Sequence, residues 1–246
     1  MYPAIECQEL ETAYTAFRHR PILRGINCTI KQGEFVALLG FNGAGKSTFV
    51  RSLVGLVPIQ KGAIRIEGIT VTRRTLAQTQ RHIGMLFQGG GLIRQLSAIE
   101  NVLCGRLGTY PTWRTLWGFP QQERRRALEL LTALGLREQA EQKVGQLSGG
   151  QQQKVAIARC LMHSPPILLA DEPITGLDVM ATRQVMDTLS QLHSREGMTI
   201  MAVLHDLNIA SAYAERAILL DAGRIVYDGP CCNLQTKFTQ LVDLKN

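Results

Sequence analysis

The sequence predicts an α/β fold: a mostly parallel sheet, a small antiparallel sheet near the N-terminus, and an inserted helical block. Three observations carry this. The apolar runs Phe35 to Leu39, Ile167 to Ala170 and Ile200 to Leu204 are short and bounded by Gly, Pro or charge. They read as parallel strands buried on both faces. Strand-like alternation with turns fills the start of the chain, and between Leu92 and His163 the apolar period becomes helical.

Taken in order, residues from about Ile5 to Ala37 form short alternating runs with a turn at Lys31-Gln32-Gly33. Ala63-Ile64-Arg65-Ile66-Glu67-Gly68, within Gly62 to Val71, adds another run, and together these predict the antiparallel sheet. A strand from Glu34 to Leu39 leads through a Gly-rich loop into a helix from Lys46 to Leu56. In the helical block, Ala127, Leu128, Leu130, Leu131 and Leu134 make one apolar face. Val155, Ile157, Ala158, Leu161 and Met162 make another. After Pro165-Pro166 the βαβ alternation returns. A strand ends at Ala170, a helix runs from about Met180 to Ser194, a strand from Thr199 to Leu204, and a helix from Leu207 to Glu215. A hairpin centres on Asp221-Ala222-Gly223-Arg224. We therefore expect one domain over residues 1–246, its sheets in about 1–88 and 164–246 and its helical subdomain in about 89–163.

The bulk properties bound the function. A chain of 246 residues, 45% hydrophobic and 19% charged, suits one large globular domain with a real core. No apolar run approaches a membrane span, and Met1 to Glu6 lack the basic-then-apolar pattern of a signal peptide. The net charge of +7 does not point to nucleic acid, because Lys and Arg are spread along the chain. Arg124-Arg125-Arg126 is the one tight run, and it opens an amphipathic helix as a solvated face. The six cysteines include no C-x-x-C pair. They read as small buried hydrophobes and surface thiols in a reducing compartment, Cys231-Cys232 included.

The segment Gly40-Phe41-Asn42-Gly43-Ala44-Gly45-Lys46-Ser47-Thr48 is a P-loop, set between a strand and a helix as that motif requires. Gly40, Gly43 and Gly45 let the backbone N–H groups converge on phosphate oxygens, and the helix adds its positive end. Lys46 supplies charge to the β- and γ-phosphates, Ser47 a hydroxyl ligand for Mg²⁺, and Thr48 a contact on the α-phosphate side. Asp171 and Glu172 follow an apolar strand, at the edge where ligands collect in open α/β sheets. Asp171 is expected to hold the Mg²⁺ shell, and Glu172 to polarise the attacking water as general base. Ser148-Gly149-Gly150-Gln151 has the S-x-x-Q form of a capping box at the start of a helix from Gln152 to Met162, which makes a second anion-attracting site.

Leu147-Ser148-Gly149-Gly150-Gln151, lying between the P-loop and Asp171-Glu172, resembles the signature of the ATP-binding cassette (ABC) ATPases, and the likeness covers nearly the whole chain. The resemblance implies a RecA-like P-loop NTPase core that binds ATP with Mg²⁺. It assigns Gln88 to the glutamine that senses Mg²⁺ and water, and His205 to the switch histidine at the γ-phosphate. It assigns adenine stacking to Tyr14, with Phe17 the competing aromatic and a core role for Tyr14 the other reading. The three glycines after Gln88 offer a hinge, where many relatives carry bulkier residues. In the family, two cassettes sandwich two ATPs head to tail. Ser148, Gly149, Gly150 and Gln151 would then act on the partner's nucleotide, with Asp178 at the seam.

One cassette without a membrane span resembles the detached ATPase of an importer. The expected partners are a second copy, integral-membrane permease subunits and, indirectly, a periplasmic binding protein, at the cytoplasmic face of the cell membrane. Asn101 to Gly108 and Trp113 to Phe119 resemble the phosphonate-importer group. Against that, Asp171 to Asp178 reads DEPITGLD, without that group's alanine-serine pair, and His205-Asp206-Leu207-Asn208 looks closer to metal-chelate importers. A soluble non-transport ATPase, such as a cluster-assembly factor, is the alternative class.

Overall fold

The computed structural model describes residues 2–12, 21–107 and 118–243. Two sheets organise them. The smaller is antiparallel and made of β1 (Ile5–Thr12), β2 (Arg24–Ile30), β4 (Ile59–Ile66) and β5 (Ile69–Thr70), in the order β2-β1-β4-β5. The larger contains β3 (Phe35–Gly40), β6 (Ile83–Leu86), β7 (Ile167–Ala170), β8 (Thr199–Val203), β9 (Arg216–Asp221) and β10 (Arg224–Pro230). Its order is β10-β9-β3-β8-β7-β6, parallel throughout except for the β9–β10 hairpin.

Alternation along the parallel strands builds two cores at once. Val36 and Leu38 of β3 join Ile167 and Leu169 of β7 on the face covered by the antiparallel sheet and by α1 (Lys46–Leu53). Phe35, Ala37 and Leu39 point the other way, with Leu168 and Ala170, toward α5 (Gly149–Leu161) and α6 (Val179–Glu196). Because both faces are covered, these strands carry no polar alternation, which is why they are legible as continuous apolar runs. A third cluster lies among α3 (Ala98–Leu103), α4 (Gln121–Ala133) and α5, all between β6 and β7 in the chain. The remaining α-helices among the described residues are α2 (Leu76–Arg81), α7 (Leu207–Tyr213) and α8 (Leu234–Asp243).

Several boundaries differ from expectation for local reasons. The helix after the P-loop ends at Leu53 rather than Leu56, where Gly55 turns the chain at φ +74°. The helix at the signature starts at Gly149, not Gln152, because Ser148 caps it and draws both glycines into the first turn. Of the face expected on α4, Ala127 and Leu131 are fully buried, while Leu128, Leu130 and Leu134 pack at its margin. Arg124 to Arg126 are exposed, with Arg124 paired to Glu141 at 2.7 Å and Arg125 to Glu129 at 3.0 Å. Cys7, Cys28, Cys160 and Cys231 are buried, Cys232 is exposed, and all described cysteines are free thiols. Burial pushes the Cys160 thiol up to about 12.

The β9–β10 hairpin turns at Ala222 and Gly223, both with positive φ, and its tip docks on the P-loop. Gly223 N–H donates to the Ala44 carbonyl at 3.0 Å, and its own carbonyl accepts from Arg24 N–H at 2.8 Å. A Cβ on Gly223 would stand 1.9 Å from the Ile22 carbonyl oxygen. Gly223→Ala is therefore expected to lower unfolding stability by about 1–3 kcal/mol, read as a shifted denaturant midpoint, because backbone has to move to admit the methyl.

Candidate functional site: a glycine-rich cleft facing two adjacent carboxylates

The large sheet places β3 and β7 on either side of β8, so the loops at their C-terminal ends converge. From β3 the chain turns through Gly40, whose added Cβ would lie 2.2 Å from the Leu220 carbonyl oxygen of β9. Gly43 and Gly45 follow with φ +78° and +106°, conformations that side-chain-bearing residues resist. Gly45 is the N-cap of α1, so the helix start points its free N–H groups into the loop. A cleft of about 370 Å³ results, lined by Asn42, Gly43, Gly45 to Thr48 and Glu172, with Ile22 at its edge.

Lys46 is folded back on the loop. Its Nζ donates to the Gly40 carbonyl at 2.8 Å and the Phe41 carbonyl at 3.2 Å. Burial lowers its pKa, and the nearby charges of Glu172 and Asp171 oppose that shift. Ser47 Oγ donates to Asp171 Oδ1 at 2.8 Å. Asp171 is fully buried, and its Oδ2 faces Arg51 at 3.2 Å as an ion pair without hydrogen-bond geometry.

Glu172, the next residue, is held at φ +57°, a position where a non-glycine residue is strained. Three side chains hold its carboxylate. Gln88 Nε2 donates to Oε2 at 3.0 Å, Thr175 Oγ1 donates to Oε2 at 3.1 Å, and His205 Nε2 lies 3.0 Å from Oε1. Burial pushes this carboxyl up, but the hydrogen bonds from His205 and Thr175, with the charges of His205 and Lys46, outweigh it. The net shift is downward. Four residues scattered from position 88 to 205 are thus brought together beside the cleft: Glu172 lines it, Gln88 and His205 hold Glu172, and the buried Asp171 holds Ser47.

Gln88 leads into Gly89, Gly90 and Gly91, all at left-handed φ of +69°, +71° and +58°. The guanidinium of Arg159, on α5, spans this turn with bonds of 2.8 Å to the Gly91 carbonyl and 2.6 Å to the Gly90 carbonyl. The glycine run expected as a hinge is therefore latched to the signature helix. At the other end of α5 the capping box is complete: Gln151 N–H donates to Ser148 Oγ at 3.3 Å, and Ser148 N–H donates to Gln151 Oε1 at 2.9 Å. A Cβ on Gly149 would meet Leu177 at 3.0 Å, and one on Gly150 would meet Ala181 at 2.9 Å. These glycines let α5 pack against the start of α6, where Asp178 caps by accepting from Ala181 N–H at 2.8 Å. The signature and Asp178 are therefore neighbours, and neither lines the P-loop cleft of its own chain. Tyr14, its competitor Phe17 and the stretch 108–117 with Trp113 and Trp117 lie outside the described residues.

The family model for the ABC transporter matches residues 23–175. The chain belongs to the ABC transporter family. Among relatives of this cassette is the phosphonates import ATP-binding protein PhnC 2 of Nostoc sp., 68% identical over 95% of this chain and 96% of that protein. The phosphonates import ATP-binding protein PhnC of Staphylococcus epidermidis is 43% identical over 85% and 82% of the two chains. Among solved structures, a dimeric post-hydrolysis state of the ATP-binding cassette MJ0796 bound to ADP and Pi superposes with a TM-score of 0.80. It is 35% identical and covers 92% of this chain and 98% of that one. The cbiO1 cassette of Clostridium perfringens, part of the cbiONQ transporter complex, superposes with a TM-score of 0.83 at 27% identity, covering 99% and 96%.

Sequence reasoning overlooked three contributors to this cassette's site. Arg51 stands four residues after Ser47 on the same helix face, a spacing that marks it as a neighbour of whatever Ser47 touches. Thr175 and Arg159 act through local and long-range hydrogen bonds that carry no periodic signal. Because His205 and Thr175 lower the Glu172 pKa, His205→Ala is expected to raise it. A carboxyl titration followed by NMR, with Glu172 assigned, should show its midpoint moving upward. The wild-type carboxylate, depressed in the folded state, stabilises the fold above the ordinary glutamate range, and this is lost as pH falls through its lowered value.

Proposed function

We propose that this chain is the ATP-hydrolysing subunit of an importer for phosphonates or a related phosphorus oxyanion, working as a head-to-tail dimer. The observation that carries the catalytic part is the Glu172 carboxylate, aimed into the P-loop cleft and held by Gln88, Thr175 and His205. The 68% identity to a phosphonate import ATP-binding protein over nearly the full length of both chains supports the cargo.

In this reading Gly40 to Thr48 cradle the phosphates of ATP, and Lys46 moves its charge from loop carbonyls to the β- and γ-phosphates. Glu172 orients water against the γ-phosphate, while His205 and Gln88 read the presence of that group. Tyr14 stacks on the adenine. Ser148, Gly149, Gly150 and Gln151 present the start of α5 to the nucleotide of a second copy, and Asp178 lies at the seam between copies. The dimeric ATP-binding cassette MJ0796 supports that pairing.

The site suits Mg²⁺. Ser47 and Asp171 are hard oxygen donors held side by side, and Asp171 Oδ2 is buried with no hydrogen-bond donor upon it. Among the described residues no three His, Cys, Asp or Glu gather to hold a metal, and Ser47 and Asp171 would hold the ion together with the nucleotide it accompanies. When bound, the ion neutralises charge on the β- and γ-phosphates; Ser47, Asp171 and Gln88 are the residues we assign to it.

The helical subdomain of about 89–163 then moves relative to the sheets and passes the cycle to integral-membrane permease subunits, with a periplasmic binding protein delivering cargo. Among the described residues no helix is long and apolar enough to cross a membrane. Membrane attachment in this proposal therefore runs through the permease at the cytoplasmic face.

Glu172→Gln is expected to reduce kcat by roughly 10²–10⁴-fold and to leave an ATP-bound dimer on size exclusion; wild-type turnover refutes the assigned base. Ser148→Arg is expected to leave ATP affinity of the monomer intact yet stop hydrolysis; unchanged hydrolysis refutes the shared site. For cargo, a strain lacking this gene should fail to grow on a phosphonate as sole phosphorus source while still growing on phosphate. Normal growth on phosphonate, with lost uptake of a metal chelate, would move the assignment to that importer class.

A further inference from the structure

The P-loop residue Phe41 is turned away from the phosphate cleft, whose lining does not include its side chain. Its ring instead meets Phe238 of α8, with ring centroids 5.3 Å apart and planes inclined by 32°. The backbone of Phe41 matters to the cradle. Its carbonyl accepts from Ala44 N–H at 3.1 Å and from Lys46 Nζ at 3.2 Å. A ring held from outside therefore fixes the orientation of a peptide that closes the loop and parks the phosphate-binding lysine.

Helix α8 is well placed to hold that ring. Leu234 is fully buried, and Phe238 and Leu241 follow at helical spacing on the same core cluster. Two other parts of the C-terminal region already press on the loop. The Leu220 carbonyl crowds Gly40, and Gly223 N–H donates to the Ala44 carbonyl. Phe238 adds a side-chain tie to the exposed tip that those backbone contacts flank.

We infer that Phe238 is a positioning residue for nucleotide binding: by stacking on Phe41 it preforms the P-loop, so that less ordering is left to occur when ATP arrives. This rests on the reading of the P-loop as the ATP site. The contact lies outside the cleft and involves none of the groups assigned to phosphoryl transfer. It strengthens binding of substrate and transition state alike, so it acts on KM and leaves kcat in place.

The test is steady-state ATP hydrolysis together with direct titration of ATP binding, on the full chain. Phe238→Ala is expected to raise KM and the ATP Kd by roughly two- to ten-fold, the range aromatic pairs contribute, with kcat within about two-fold of wild type. Phe238→Tyr, which restores a ring, should return both constants to wild type. Leu241→Ala, which loosens the same helix one turn on, should leave them unchanged. In a double-mutant cycle with Phe41→Leu, the second substitution should cost little once the first is present. Phe238→Leu serves in place of the alanine variant should that one fail to fold. An unchanged KM in the ring-deleted variant overturns the inference, as does an equal rise in Leu241→Ala, which would make the effect one of helix docking. A wild-type chain that does not bind ATP at all would instead refute the P-loop reading.

Discussion

A carboxylate with no exposure to water has to be neutralised where it stands, and Asp171 is such a group at the end of β7. Both of its side-chain partners, Ser47 and Arg51, sit on one face of α1. That helix is therefore tied to the C-terminal end of β7 across the intervening β8. The same tie aims the start of α1, with its unpaired N–H groups, at the space in front of Glu172. The P-loop cleft is thus a by-product of satisfying one buried charge, through a contact that joins the two halves of the site.

Much of this was legible in the sequence because the signals are short-range. Gly40, Gly43 and Gly45 declare a tight turn between strand and helix through residue type alone, and the structure holds all three at positive φ. The parallel strands declare themselves through unbroken apolar runs, since both of their faces are covered. The capping box at Ser148 and Gln151 is a four-residue pattern, and the structure forms both of its bonds. Even the inserted helical block is visible as a change of period between Leu92 and His163.

What sequence alone did not disclose depends on close approaches in space. Gly149 and Gly150 read as loop residues before a helix; in the fold the Ser148 cap draws them into its first turn, and Leu177 and Ala181 leave little room for a Cβ on either. That contact sets the signature beside Asp178. The glycines after Gln88 suggested free rotation, yet two of their carbonyls are engaged by Arg159. A guanidinium donating to consecutive carbonyls is a planar fork, and it ties α5 to the chain just after Gln88 more tightly than a slack loop does. The partners of such a latch are 68 or more residues apart, and no pattern along the chain relates them.

The Glu172 carboxylate poses a further question of mechanism. A base whose proton affinity has been lowered is a weaker acceptor, yet the proposed reaction asks it to handle a water. Two carboxylate oxygens offer about four lone-pair sites. Gln88 and Thr175 occupy Oε2, and His205 lies against Oε1. One position remains for a water without breaking any bond in the network. Phosphoryl transfer passes through a loose transition state with little need for early proton removal. What the site supplies is then a fixed acceptor direction, and the strained φ of Glu172, over-determined by three partners, maintains that direction. Lowered basicity and strained backbone follow from the same arrangement, and in the proposed reaction orientation of the nucleophile then outweighs proton affinity.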